Sequence, residues 1–170
     1  TGFGAGTFTF DALNRPLLRN YTGVLQDVTF TYDSCTNGTG RVCSIDDEFS
    51  ITSFEYDAFG NVLHKAETGG GNTYHIYYSW DAADRLAQIT YPTGHVVAYS
   101  RDAQGRIQGV TLDGASVVSS RSYRGDGKLT GQTYGNGLVE TRSYDGRGLL
   151  ASYTLGSIES ESYGYDPAGN

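Results

Sequence analysis

The chain has 170 residues and a net charge of −7, with 24 Gly, 14 Tyr, one Trp and no Met. This composition is poor for packed helices and suits strands joined by tight turns, so it favours an all-β protein. The acidic charge, with only two Lys among twelve basic residues, disfavours a nucleic-acid partner, because phosphate binding needs clustered Lys and Arg. No apolar run approaches the roughly 18 to 20 residues that cross a bilayer, so we expect no membrane insertion.

One motif returns along the whole chain: an aromatic residue, Asp, a small residue, a variable residue, a turn former, a basic or polar residue and an aliphatic one. It is clearest at Tyr56–Val62 and Trp80–Leu86 and looser at Phe10–Arg15. The Asp position of the eight copies falls at 11, 33, 57, 81, 102, 124, 145 and 166, so neighbouring copies lie 21 to 24 residues apart. This period predicts a single repeat array over residues 1–170, truncated at both ends.

Two positions in each copy carry the signature of a tight turn. Asp is favoured at the first position of a type I turn, and a residue with left-handed backbone often follows when such a turn closes a hairpin. Seven copies have Asp at the first position: Asp11, Asp33, Asp57, Asp81, Asp102, Asp145 and Asp166. The later position holds Asn14, Gly40, Gly60, Asp84, Gly105, Gly127, Gly148 and Gly169. We therefore predict that the Asp side chains cap backbone N–H groups and that the later position requires a left-handed backbone.

A second turn signal lies midway between the Asp turns. It is found at Gly69–Asn72, Pro92–Gly94, Asp113–Gly114, Gly135–Gly137 and Gly156–Ser157. The stretches between turns are rich in Tyr, Thr, Val, Ile and Ser and suit strands of about five to eight residues, so each period is a hairpin. Because a lone hairpin is marginal in water, we expect the hairpins to stack edge to edge into a twisted, coiling antiparallel sheet, with the aromatic positions aligned in rows.

The only two cysteines, Cys35 and Cys43, flank an insertion in the second copy and lie eight residues apart. This spacing suits a disulfide that closes a loop in an oxidising compartment, and two free thiols are the alternative. There are too few Cys and His residues for a zinc site built from these ligands, so we expect no bound metal.

These Tyr-Asp copies, from about Phe10 to Asn170, resemble those of the YD-repeat or RHS-repeat proteins. Bacterial members of that family include polymorphic toxins and toxin-complex components, and its animal relatives are the teneurins. The insertion at Tyr32–Ser44 also looks like a recurring variant of the bacterial family. The resemblance implies a β-sheet that spirals into a large hollow shell, wrapped in toxins around a C-terminal effector, and a bacterial protein that is secreted or displayed at the cell surface.

No motif typical of catalysis or cofactor binding stands out. The sequence contains no P-loop, no H-E-x-x-H and no G-x-S-x-G, so we expect no enzymatic activity and no cofactor. The acidic cluster Asp46–Glu48 could bind calcium, but it lacks EF-hand spacing and a solvated turn is the simpler interpretation. Arg124–Asp126 spells the tripeptide that integrins recognise, at a position that the repeat already explains as a turn.

Two functions remain to be compared. The first is a non-enzymatic structural module of a large secreted or surface protein, forming part of the encapsulating shell of an RHS/YD-repeat polymorphic toxin. Its partners would be the rest of the parent polypeptide and an enclosed C-terminal toxin domain. The alternative is an adhesive fibre or sheath module that binds glycans or cell surfaces, since exposed Tyr rings can stack on sugars. Open sheet edges would also allow self-association.

Overall fold

The computed structural model describes residues 6–21 and 27–170, which contain fifteen strands and no helix. The strands are β1 (Gly6–Phe10), β2 (Pro16–Tyr21), β3 (Val28–Tyr32), β4 (Val42–Asp46), β5 (Ser50–Tyr56), β6 (Val62–Gly69), β7 (Asn72–Trp80), β8 (Leu86–Thr90), β9 (Val96–Arg101), β10 (Ile107–Leu112), β11 (Ala115–Tyr123), β12 (Leu129–Tyr134), β13 (Val139–Tyr144), β14 (Leu150–Leu155) and β15 (Glu159–Ser162). Over these two ranges no helix is long and apolar enough to span a membrane.

The strands fall into two compact units, an N-terminal unit, Thr1–Gly94, and a C-terminal unit, His95–Asn170. In the N-terminal unit each strand from β1 to β8 pairs antiparallel with the next one along the chain. The same holds from β9 to β15 in the C-terminal unit. The predicted all-β fold of tandem antiparallel hairpins stacked edge to edge is therefore confirmed.

Turns of two kinds alternate along the chain. The midway turns are tight, as where β6 and β7 pair Gly69 with Asn72 across Gly70 and Gly71, whose φ angles are 58° and 79°. Two successive left-handed residues give the type I′ turn, whose twist matches that of the flanking strands. The Asp turns are longer and lie at the opposite end of each hairpin.

Side chains alternate between the two faces of the sheet within each unit. In the N-terminal unit Phe54, Lys65 and Ile76 stand opposite one another on adjacent strands. The other face carries pairs of hydroxyls, such as Thr31 and Ser44, whose oxygens lie 2.7 Å apart. Each cross-strand pair of this kind contributes about 0.2 to 1 kcal/mol to the stability of the sheet.

The core is small, because a single sheet layer leaves both of its faces open. Among the described residues only four apolar side chains are buried, and these are Cys43, Tyr56, Ala66 and Val118. Most stabilisation must therefore come from the ladder hydrogen bonds and from contacts between neighbouring hairpins.

One carboxylate is buried in the C-terminal unit. Glu140 of β13 is 2% exposed and accepts hydrogen bonds from Tyr134 Oη at 2.7 Å, Gln132 Nε2 at 2.8 Å and Arg142 Nε at 2.6 Å. Burial raises the pKa of Glu140, but these donors outweigh it, so the pKa lies below its ordinary value. The ionised side chain thus ties β12 to β13.

Candidate functional site at the junction between repeats

The first part of the junction is the Asp turn. In the third copy, Asp57 Oδ1 accepts hydrogen bonds from the backbone N–H groups of Phe59, Gly60 and Asn61 at 2.9, 2.8 and 2.9 Å. The backbone closes the same turn, because Asp57 N–H donates to Asn61 O at 2.9 Å. The carboxylate thus satisfies N–H groups that a loop would otherwise leave to solvent.

The same arrangement recurs in the other copies that carry Asp. Backbone N–H groups inside the turn donate to the carboxylates of Asp11, Asp81, Asp102, Asp145 and Asp166. For Asp145, the bond from Leu149 N–H is the main cause that lowers the pKa below its ordinary value. The second copy differs: Asp33 has φ of 65° itself and accepts from Gly40 N–H at 2.6 Å, across the insertion.

The later turn position has positive φ in all eight copies. The angles are 62° at Asn14, 78° at Gly40, 97° at Gly60, 54° at Asp84, 83° at Gly105, 87° at Gly127, 82° at Gly148 and 90° at Gly169. At Gly60 a Cβ would also collide with the guanidinium of Arg41 from the preceding copy. Glycine there serves both the turn and the approach of the neighbouring copy.

The second part of the junction is a hydrogen bond from the aromatic residue that precedes each Asp position, here called the motif aromatic. Its polar group donates to the carbonyl of the residue that follows the turn of the preceding copy. Within the two units this occurs at six junctions, from Tyr32 to Pro16 O (2.9 Å), Tyr56 to Val42 O (2.6 Å), Trp80 to Val62 O (2.9 Å), Tyr123 to Ile107 O (2.5 Å), Tyr144 to Leu129 O (2.8 Å) and Tyr165 to Leu150 O (3.0 Å).

Sequence reasoning treated these aromatics only as packing groups and missed the bond. Trp80 was the available signal, since Trp, like Tyr and unlike Phe, carries a hydrogen-bond donor on its aromatic ring. Phe10 of the first copy and Arg101 of the fifth depart from the pattern, and Arg101 Nη1 donates to Gly105 O at 3.2 Å.

The third part is a cation that lies over the motif aromatic of the next copy. Arg15 lies 4.3 Å from the centre of the Tyr32 ring, and Arg106 lies 4.6 Å from that of Tyr123. Lys128 lies 5.3 Å from the ring of Tyr144. Such contacts are worth about 0.5 to 1 kcal/mol at exposed sites. Four motif aromatics therefore contact cations of the preceding copy, namely Tyr32, Tyr56, Tyr123 and Tyr144. In the described part of the chain no ring contact joins two motif aromatics, unlike the expected rows.

The same cations are held by carboxylates. Arg15 Nε is 2.6 Å from Asp11 Oδ2 in its own turn, and Arg15 Nη2 is 2.6 Å from Asp33 Oδ2 in the next copy. The bonds to Asp33 and Asp11 raise the pKa of Arg15. The junctions of the first and fifth copies thus combine an Asp cap, a cation and an aromatic donor. All of these groups join one copy to the next.

Cys35 and Cys43 are joined by a disulfide, with their Cα atoms 5.4 Å apart. The bond closes the insertion of the second copy. Gly38 is buried against it, and a Cβ at Gly38 would collide with both sulfur atoms. The described residues contain no free cysteine.

Carboxylates of the acidic cluster Asp46–Glu48 and of the tripeptide Arg124–Asp126 form local contacts. Asp47 Oδ1 accepts from Ser50 N–H at 2.7 Å and Asp46 Oδ1 from Glu48 N–H at 3.1 Å, so this acidic cluster shapes its own turn. No group of three or more His, Cys, Asp or Glu suited to a metal ion occurs within residues 6–21 and 27–170. Arg124 and Asp126 pair with each other at 2.7 Å.

Exposed tyrosines do gather at one place in the N-terminal unit. Tyr74, Tyr77 and Tyr91 are 54%, 49% and 40% exposed, and with His75 they line an open groove of about 460 Å³. His75 Nδ1 lies 3.0 Å from Nε2 of His64, so the two imidazoles share a hydrogen bond.

Comparison with known proteins agrees with this architecture. Residues 80–117 match the family model of the RHS repeat, and no curated protein matches the chain. Among solved structures, the chain is similar to a crystal structure of TcdB2-TccC3 at 18% identity and a TM-score of 0.77, and to one of TcdB2-TccC3-Cdc42 at 19% and 0.71. It is also similar to the Tc holotoxin pore of Photorhabdus luminescens at 18% and 0.72.

Each of these likenesses covers 99% of this chain and 11% of the other one. The chain therefore corresponds to about a ninth of those proteins, and at such identities the likeness establishes the fold. Together with the family match at residues 80–117, it confirms the resemblance of the Tyr-Asp copies to those of the YD-repeat, or RHS-repeat, proteins.

Proposed function

We propose that the chain is a non-enzymatic structural segment of the encapsulating shell of an RHS/YD-repeat toxin. In this proposal residues 1–170 form one array of about eight repeats. The Asp residues and the left-handed residues of the turns have purely structural roles, as does the Cys35–Cys43 disulfide. Its partners are the rest of the parent polypeptide and an enclosed C-terminal toxin domain, in a protein that a bacterium secretes or displays.

The observation that carries the proposal is the repeated bond from a motif aromatic to a carbonyl of the preceding copy. At six junctions one copy is thereby attached to the next through an equivalent bond. Repeats joined in this way can extend an array without a separate core. A wall of this kind encloses volume with few residues. The carboxylates are engaged as turn caps and ion pairs, which supports a structural rather than a catalytic use.

Imaging of the full-length parent by electron microscopy tests the shell. A closed hollow particle, whose C-terminal region resists added protease, is the expected result. An extended rod with a digestible C-terminal region would instead support the adhesive fibre and would refute the shell.

A variant of the parent tests whether the hydrogen bonds between copies are needed to protect the enclosed region. Replacing Tyr123, Tyr144 and Tyr165 with Phe removes three successive bonds between copies, and we expect faster proteolysis of the enclosed region. The matched control replaces Tyr99 and Tyr153 with Phe, because their hydroxyls have no hydrogen-bond partner among the described residues. If both variants protect the enclosed region equally well, the junction bonds do not maintain the shell.

A further inference from the structure

The insertion of the second copy does more than lengthen a turn. Strand β4 begins at Val42 and pairs with β5 only from Ser44 and Ser53 to Asp46 and Ile51. This leaves the end of β5, at Tyr56, without a strand beside it on that side. A loop of the insertion lies there instead.

The loop forms hydrogen bonds with both the N–H group and the carbonyl of Tyr56. Tyr56 N–H donates to Thr36 O at 3.2 Å, and Asn37 Nδ2 donates to Tyr56 O at 2.9 Å. The Tyr56 hydroxyl donates to Val42 O at 2.6 Å, at the far end of the same insertion. Tyr56 is accordingly 8% exposed, whereas the other motif aromatics with described surroundings are half-buried or exposed.

A cation extends this contact to the next turn. Arg41 lies 5.6 Å from the centre of the Tyr56 ring and donates to Phe59 O at 3.5 Å. It also donates to Asn37 O at 3.1 Å and Thr39 O at 3.2 Å, which binds it to the loop. The loop and its cation thus cover the junction between the second and third copies.

The shape of this loop depends on the disulfide. Cys35 N–H lies 2.9 Å from Cys43 Sγ, Gly38 N–H donates to Cys35 O at 2.9 Å, and Gly38 is buried against both sulfur atoms. Thr36 and Asn37, which contact Tyr56, stand directly after Cys35 and inside the closed ring. Opening the ring frees these two residues first.

We propose that the Cys35–Cys43 disulfide is a thiol-reversible clasp that holds the second copy on the third. A dithiol reductant supplies two electrons and two protons: the S–S bond breaks, Cys35 and Cys43 become thiols, and the reductant becomes a cyclic disulfide. The loop then leaves Tyr56, and the junction opens locally. The array is continuous under oxidising conditions and has one weakened junction under reducing conditions.

Amide hydrogen exchange measured by NMR on the whole chain, before and after dithiothreitol, tests the clasp. Intact mass must first show a gain of two protons on reduction. Exchange at Tyr56 is then expected to accelerate between about tenfold and a hundredfold, the range set by closing a ring of this length. Exchange at Asp145, whose N–H donates to Leu149 O at 2.8 Å in the C-terminal unit, is expected to stay unchanged.

A variant that keeps the disulfide tests the contact between the loop and Tyr56 independently of the disulfide bond. Asn37→Asp preserves the size of the side chain and its tolerance of φ at 51°, but removes the donor to Tyr56 O. It should accelerate exchange at Tyr56 by about five- to tenfold without any reductant, as expected for one hydrogen bond. Thr39→Ala, in the same loop, is the matched control and should have no effect.

Three results would overturn the proposal. One is an unchanged mass on reduction, and another is unchanged exchange at Tyr56 once both thiols have formed. The third is equal acceleration at Tyr56 and Asp145, which would make the disulfide a requirement of the whole fold and not a local clasp.

Discussion

Replacing Tyr144 with Phe tests whether the motif hydroxyls hold neighbouring copies together. The change keeps the ring, and with it the contacts to Arg124 and Lys128 at 5.6 and 5.3 Å. It removes only the hydroxyl, which donates to Leu129 O at 2.8 Å. One such bond contributes about 0.5 to 1.5 kcal/mol of net stability. A loss of about 1 kcal/mol lowers the Tm of a unit of this size by roughly 4 to 8 °C.

The measurement is unfolding of the whole chain by urea and by heat, monitored by circular dichroism. Tyr153→Phe is the matched control, because Tyr153 is a half-buried tyrosine of the same unit whose hydroxyl has no hydrogen-bond partner among the described residues. We expect it to unfold like the parent. An unchanged free energy of unfolding in Tyr144→Phe, or an equal loss in Tyr153→Phe, would show that the motif hydroxyls do not hold the copies together.

Three further predictions concern the turns and the buried carboxylate. Gly127→Ala should cost about 1 to 2 kcal/mol of unfolding free energy, because φ is 87° there. Gly125→Ala, in the same turn, is the control and should cost little. Equal melting temperatures of the two variants would contradict this prediction. The pKa of Asp145 is lowered from its ordinary value of 3.8, so its stabilisation is complete above that value and is lost as pH falls through the lower, folded-state pKa. Thermal melts should therefore show Tm declining below about pH 4, and less steeply in Asp145→Asn. Glu140→Ala should cost about 1 to 3 kcal/mol of unfolding free energy, because it removes the shared acceptor of three hydrogen bonds. The change Glu159→Ala at an exposed position should cost less than about 0.5 kcal/mol. Similar urea midpoints for the two variants would disprove the role of burial.

The turns could be predicted from the sequence because a turn is a local structure. Whether a residue tolerates left-handed backbone depends on its own Cβ, and whether Asp caps a turn depends on N–H groups two to four residues away. The sequence therefore indicated both positions in each copy, and φ is positive at all eight later positions. The second copy departs at Asp33, whose own backbone is left-handed in addition to that of Gly40.

The contacts between copies could not be predicted in the same way. The Tyr144 hydroxyl and Leu129 O are 15 residues apart in sequence, and they meet only because β12, β13 and β14 pair in a particular register. A bond from a side chain to a carbonyl of the neighbouring strand depends on the register and twist with which the two strands pair. The sequence could show that Tyr recurs, but not which carbonyl it reaches.

The sequence alone therefore determined the period, the hairpin architecture and the resemblance to the YD-repeat proteins, since these follow from turn chemistry that each copy carries within a few residues. Only the tertiary structure decided that cations of one copy cover the aromatic of the next, that Glu140 is buried among donors, and that the insertion at Thr36 and Asn37 covers Tyr56. Each of these arrangements includes groups from different strands or loops, and its energy depends on distances that exist only after the strands have paired.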